Sequence, residues 1–137
     1  MVNGKDTGKP LALIVEDEYN VSLVFSRALR AAGFKVEIVR AGDAAVEWLA
    51  SARPDIVVLD LNLPHVAGKD VLQYIRADHR LAGMPVIVAT AYARLAENLH
   101  DRVDRVLFKP IGFRRLRDLA ARLVQKSVSA GTPSAPT

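Results

Sequence analysis

The run Ile56-Val57-Val58-Leu59-Asp60, followed by Leu61-Asn62-Leu63-Pro64, limits the fold of this chain more than any other stretch. Aliphatic residues in unbroken succession, without polar alternation, read as a strand buried on both faces, as in the middle of a parallel sheet. A carboxylate cannot continue into such a strand without a large desolvation cost, so Asp60 belongs at its C-terminal edge. In open α/β sheets that edge is where ligands gather. A lone aspartate there has an ordinary reading too, as the start of a turn closed by Pro64. The rest of the chain decides between the two.

Residues 1–9 read as a flexible polar tail, 10–126 as one folded domain, and 127–137, rich in Ser, Ala, Gly, Thr and Pro, as a disordered tail. Leu11 to Val15 is a second buried strand, and it runs into Glu16, Asp17 and Glu18. Val21, Val24, Phe25, Ala28, Leu29 and Ala32 then recur at helical spacing, and Gly33 ends that helix. Phe34 to Val39 alternates as a sheet-edge strand would, and Asp43 is expected to N-cap a helix that buries Ala45, Trp48 and Leu49. Gly68 opens a helix with Val71, Leu72 and Ile75 inward. Pro85 to Ala89 is a strand ending on Thr90, and a short arginine-rich helix is expected over about Arg94 to Asp101. Arg105 to Phe108 is the last strand, ending on Lys109-Pro110. The final helix shows Phe113, Leu116, Leu119, Ala120, Leu123 and Val124 as its apolar stripe.

Strands alternating with helices demand right-handed crossovers and a parallel sheet covered on both faces. The fold class is therefore α/β, a flavodoxin-like doubly wound sheet of five strands. An edge-like second strand beside a fully apolar first strand suits the order 2-1-3-4-5. That order brings Glu16, Asp17, Asp60 and Thr90 to one edge, with Lys109 arriving from the strand beyond.

Composition removes several alternatives. There are no cysteines, which excludes disulfides and thiolate metal sites and fits a cytoplasmic protein. No apolar run approaches the length of a membrane span, and the N-terminus lacks a signal-peptide pattern. Net charge is +4, with seven Lys or Arg against Asp118 alone between Arg105 and Lys126. Without aromatic interleaving, a helix-turn-helix or a zinc pattern, that stretch reads as a solvated helix face rather than a nucleic-acid interface.

Converging carboxylates repel one another, which raises a pKa and destabilises the fold unless a cation neutralises them. An all-oxygen ligand set favours a hard ion, Mg²⁺, with Mn²⁺ as a substitute. A carboxylate beside such an ion is a competent nucleophile towards phosphorus, Lys109 supplies positive charge for phosphoryl oxygens, and Thr90 offers a hydroxyl donor. Each feature has a plain explanation: a helix cap, β-propensity, a Lys-Pro turn. Their joint occurrence at the ends of the first, third, fourth and fifth strands does not.

With those residues in view, the sequence resembles the receiver domains of bacterial two-component response regulators, single-domain chemotaxis regulators among them. The motifs that carry the resemblance are Leu13-Ile14-Val15-Glu16-Asp17-Glu18, Val58-Leu59-Asp60-Leu61-Asn62-Leu63-Pro64 with Gly68, Ala89-Thr90-Ala91, and Lys109-Pro110, within roughly Leu11 to Gln125. The resemblance implies Asp60 as phosphoacceptor and Glu16, Asp17, Asp60 and the Asn62 backbone carbonyl around Mg²⁺, with Glu16 acting through water. It implies Thr90 as the switch hydroxyl, Lys109 as the phosphoryl-binding lysine and a cis peptide before Pro110. It also implies a phosphoprotein that takes phosphate from a sensor histidine kinase or a histidine phosphotransfer protein. Such a protein is no turnover enzyme, having only Mg-dependent self-phosphorylation and slow autodephosphorylation. A homodimer through the fourth helix, fifth strand and fifth helix is a further expectation.

Two departures stand out. Val106 occupies the position where the family commonly has Tyr or Phe, and Phe108 has suitable strand parity in an unusual place. The segment between Thr90 and Lys109 is compressed, which bears on the output face. Tyr92, two residues after Thr90, is a candidate shield for the phosphoryl group. Two other readings stay open: a phosphorylation-independent docking module on the same fold, and an aspartate-nucleophile phosphatase or nucleotide binder. Against the last, Asn62 stands where a phosphatase of that kind would have a general acid, and no phosphate-binding glycine loop is present.

Overall fold

The computed structural model describes the backbone of residues 8–131. Its elements are β1 (Leu11–Val15), α1 (Tyr19–Ala31), β2 (Lys35–Val39), α2 (Gly42–Ser51), β3 (Ile56–Asp60), α3 (Gly68–Ala77), β4 (Val86–Thr90), β5 (Arg105–Phe108) and α4 (Phe113–Gly131). The strands form one parallel five-stranded sheet in the order β2-β1-β3-β4-β5. This is the architecture expected from the alternating pattern, with the two wholly apolar runs at its centre.

Strand parity sorts the core into two layers. Leu13, Val15, Val57, Leu59, Val86 and Val88 point to the side covered by α2 and α3, where Ala45, Leu49, Val71, Leu72 and Ile75 meet them. Ala12, Ile14, Ile56, Val58, Ile87 and Ala89 point to the other side, against Phe25, Ala28 and Leu29 of α1 and Leu116, Leu119 and Ala120 of α4. Every residue of β3 and β4 is buried, which is why neither strand shows polar alternation. Gly33 ends α1 with φ 102°, a conformation that side chains other than glycine's rarely adopt.

Two local expectations are corrected. Asp43 is not the cap of α2: Ala41 holds that place, and Asp43 sits in the first turn with Oδ1 accepting from the Ala44 N–H at 3.0 Å. The first residue of α2 has to be glycine, because a Cβ on Gly42 would lie 1.8 Å from the Val66 carbonyl oxygen. Arg94 to Asp101 is not an α-helix. Only Ala93–Ala96 forms a 3₁₀ turn; Glu97 leaves the helical region at ψ 137° and Asn98 follows at φ 68°. Successive turns instead bury Leu99 and tuck Val103 against the core. The expected fourth helix of the output face is therefore a single turn, and the fifth is α4.

That helix continues to Gly131, past the boundary expected at 126, because no helix-breaking proline occurs before Pro133. The expectations for residues 1–7 and 132–137 fall outside the described residues. Among the described residues no helix is long and apolar enough to cross a membrane.

Candidate functional site

Each acid is placed by the end of a strand. The Glu16 N–H donates to the Val39 carbonyl at 3.0 Å, which carries the β1–β2 ladder one residue further and buries Glu16 to 1% exposure. Asp17 is exposed. Glu18 caps α1, its carboxylate accepting from the Val21 N–H at 3.2 Å, while its own N–H donates to Glu16 Oε2 at 3.2 Å. Asp60 closes β3 at 4% exposure, and its Oδ1 accepts from the Asn62 N–H at 3.2 Å. Gly68 makes room for this turn, since a Cβ there would lie 2.2 Å from the Asp60 carbonyl oxygen. Thr90 closes β4, fully buried. The Lys109 N–H donates to the Thr90 carbonyl at 2.8 Å, which carries the β4–β5 pairing past Phe108 and delivers the lysine to the acids.

The result is a compact charge cluster. One carboxylate oxygen from each of Glu16, Asp17 and Asp60 lies within 4.8 Å of the others. The Lys109 ammonium donates to Glu16 Oε1 at 2.8 Å and stands 3.6 Å from Asp60 Oδ1. Burial pushes the Glu16 carboxyl above its ordinary range; the Lys109 hydrogen bond opposes this and the Asp60 charge adds to it. Burial raises Asp60 as well, opposed by the Asn62 N–H and Lys109 and reinforced by Asp17. Three acids against one lysine leave the pocket under-neutralised. Its donor set is entirely oxygen, so it suits a hard divalent cation. Among the described residues the Asn62 N–H and the Lys109 ammonium both face Asp60 Oδ1, and no hydrogen bond engages Oδ2.

The structure thus gathers Glu16, Asp17, Asp60 and Lys109 into one pocket. Thr90 faces a different partner: Oγ1 accepts from the Tyr92 N–H at 3.0 Å and lies 3.4 Å from the Tyr92 carbonyl. Tyr92 itself is exposed. Asn62 is exposed and touches the site through its N–H. The Lys109–Pro110 peptide is cis. Val106 is half-buried against the α2–α3 side of the core, whereas Phe108, in register with Thr90, is half exposed. The sequence reading missed Glu18 as the residue that fixes Glu16 and Gly42 as the one that admits the β3–α3 loop. The acidic residue immediately before the α1 stripe could have signalled the first.

Comparison with known proteins agrees with this geometry. The sequence matches the response regulator receiver domain over residues 12–121. It is 31% identical over 121 residues to the DNA-binding response regulator MtrA of Mycobacterium bovis, an alignment covering 86% of this chain and 50% of that protein. The chain thus spans about half the length of that curated relative. The signal receiver domain of a LuxO repressor protein from Vibrio parahaemolyticus superposes with a TM-score of 0.82 at 27% identity, covering 93% of this chain and 99% of that one. The receiver domain of the sensor histidine kinase PA1611 from Pseudomonas aeruginosa, solved with a magnesium ion coordinated in its active-site cleft, superposes at 0.75 with 26% identity, covering 85% and 98% respectively.

Proposed function

The chain belongs to the response regulator receiver family, and from that premise we propose that it is the phospho-accepting receiver of a cytoplasmic two-component phosphorelay, charged on Asp60. The observation that carries this reading is the pocket itself, in which buried Asp60 shares one space with Glu16, Asp17 and Lys109 at the sheet's C-terminal edge.

Glu16, Asp17, Asp60 and the Asn62 carbonyl are the groups that would hold Mg²⁺. The carboxylate cluster fits a hard cation, and the PA1611 receiver carries magnesium in its own cleft. When bound, the ion neutralises the acids and the phosphoryl oxygens that approach them. Asp60 then acts as nucleophile. A carboxylate oxygen attacks phosphorus, the bond from phosphorus to the donor's histidine nitrogen breaks, and the nitrogen leaves with the electron pair. Lys109 meets the negative charge on the transferring oxygens. Thr90 exchanges its hydrogen bond with Tyr92 for one to the new phosphoryl group, which shifts a two-state equilibrium at the 91–104 segment and β5. The donor is a sensor histidine kinase or a histidine phosphotransfer protein. Homodimerisation through the 3₁₀ turn, β5 and α4 is one output of that shift.

Tyr92 is proposed to shield the acyl phosphate, a role supported by the hydrogen bonds that tie its backbone to Thr90 Oγ1. The Tyr92→Ala variant should lose its phosphoryl group faster than the parent; an unchanged or slower loss removes this role. A second reading, a docking module that needs no phosphate, draws on Val106 and the single 3₁₀ turn. Incubation with Mg²⁺ and acetyl phosphate followed by intact mass separates them, since the docking reading predicts no phosphate adduct on Asp60.

A further inference from the structure

The Lys109 ammonium is shared unequally: it donates to Glu16 at 2.8 Å and stands only at ion-pair distance, 3.6 Å, from Asp60. Glu16 is well placed to hold it. Its Oε1 takes the lysine and its Oε2 takes the Glu18 N–H. Glu18 is in turn anchored by capping α1, and Glu16 is pinned to β2 through Val39. Buried, with both oxygens engaged, Glu16 is a fixed point, whereas Lys109 reaches it along a flexible chain. Charge attraction scales inversely with distance, so the nearer carboxylate dominates the ammonium's position.

We infer that Glu16 is a positioning residue for Lys109: it parks the ammonium off Asp60 until a phosphoryl group arrives to draw it away. This rests on the receiver reading and adds a task for Glu16 apart from any contact with metal. The chemical reason is the nucleophile's. An ammonium in direct contact with Asp60 withdraws charge from the carboxylate before it can attack, and has to be displaced before it can serve the phosphoryl oxygens. Length matters as well as charge. A side chain one methylene shorter keeps the negative charge for a cation yet falls short of the 2.8 Å contact.

Two measurements test the role. The first is the distance from Lys109 Nζ to Asp60 in crystals of Glu16→Gln and Glu16→Asp. It should close from 3.6 Å to hydrogen-bonding range in both. The second is the rate of phosphorylation by acetyl phosphate with Mg²⁺ at saturation, the affinity of each variant for the metal alone having been determined by calorimetry. Both variants should be slowed about tenfold at saturation, a change within the coupling range of contacting residues. A lysine that stays where it is, or saturated rates within about twofold of the parent, overturns the inference and leaves Glu16 a metal ligand only. The distance decides even if the parent takes up no phosphate, an outcome that counts against the receiver reading instead.

Discussion

Replacing Asp60 with Asn should stabilise the metal-free protein, although Asp60 is the proposed nucleophile. Asp60 is nearly fully buried, and its oxygens lie within 4.8 Å of those of Glu16 and Asp17. At an effective dielectric constant of about 20, each such pair repels by about 3.5 kcal/mol, while Lys109 at 3.6 Å attracts by about 4.6 kcal/mol. Asp17 is exposed and its share is screened, so these charges nearly balance, and the burial of an ionised carboxylate, the largest cause of Asp60's raised pKa, leaves a net cost of about 1–2 kcal/mol. Asparagine keeps an oxygen for the Asn62 N–H and carries no charge. A gain of that size corresponds to a melting temperature about 4–8 °C higher at neutral pH. The pH dependence follows from the raised Asp60 pKa. The native state binds the Asp60 proton more tightly than the unfolded chain does, so this group's contribution is full below the ordinary carboxylate range. It is lost as pH rises through the folded value. The variant's advantage should therefore vanish near pH 4 and grow towards neutrality. Mg²⁺ should narrow the gap: at about a hundred times its dissociation constant it stabilises the parent by about 2.7 kcal/mol and the variant, which lacks one ligand charge, by less. Thermal melts of both proteins across pH, with and without Mg²⁺, read all of this. A metal-free variant less stable than the parent at neutral pH would refute the charge argument.

Other parts of the frame are open to similar tests. Gly68→Ala forces a methyl group against the Asp60 and Leu61 backbone and should cost about 1–3 kcal/mol in denaturant unfolding while weakening Mg²⁺ binding. Recovery of full stability with intact metal affinity would show that the turn yields freely. Arg76 on α3 donates to the carbonyls of Ala82, Met84 and Arg102, clasping the segments that lead into β4 and β5. Arg76→Met should lower stability by about 2–4 kcal/mol, because those carbonyls lose charged donors. A change under about 0.5 kcal/mol would mean that water replaces the guanidinium without loss.

The pattern of elements was legible because it rests on burial. The apolar runs of β3 and β4 could only be central strands, and their polar ends could only lie at the sheet edge, so Asp60 met Lys109 from the end of β5 where topology required. Residues 94–101 misled because the stretch has no glycine or proline to mark a break, yet Asn98 adopts a left-handed conformation and Leu99 is buried by turns. Asp43 misled because α2 starts one residue earlier, at Gly42, where the close approach of Val66 from a distant segment admits only glycine and no side chain caps the helix. The unequal sharing of Lys109 between Glu16 and Asp60 depends on side-chain conformations inside the pocket, for which no sequence pattern exists.

The central assertion is that Asp60 is a nucleophile towards phosphorus. Intact-mass analysis after incubation with Mg²⁺ and acetyl phosphate tests it most directly, with Asp60→Asn in parallel. The parent should gain one phosphoryl group, lost on chelation of the metal before the donor is added, and the variant should gain none. A parent that stays unmodified, or a variant that gains the same mass, contradicts the account.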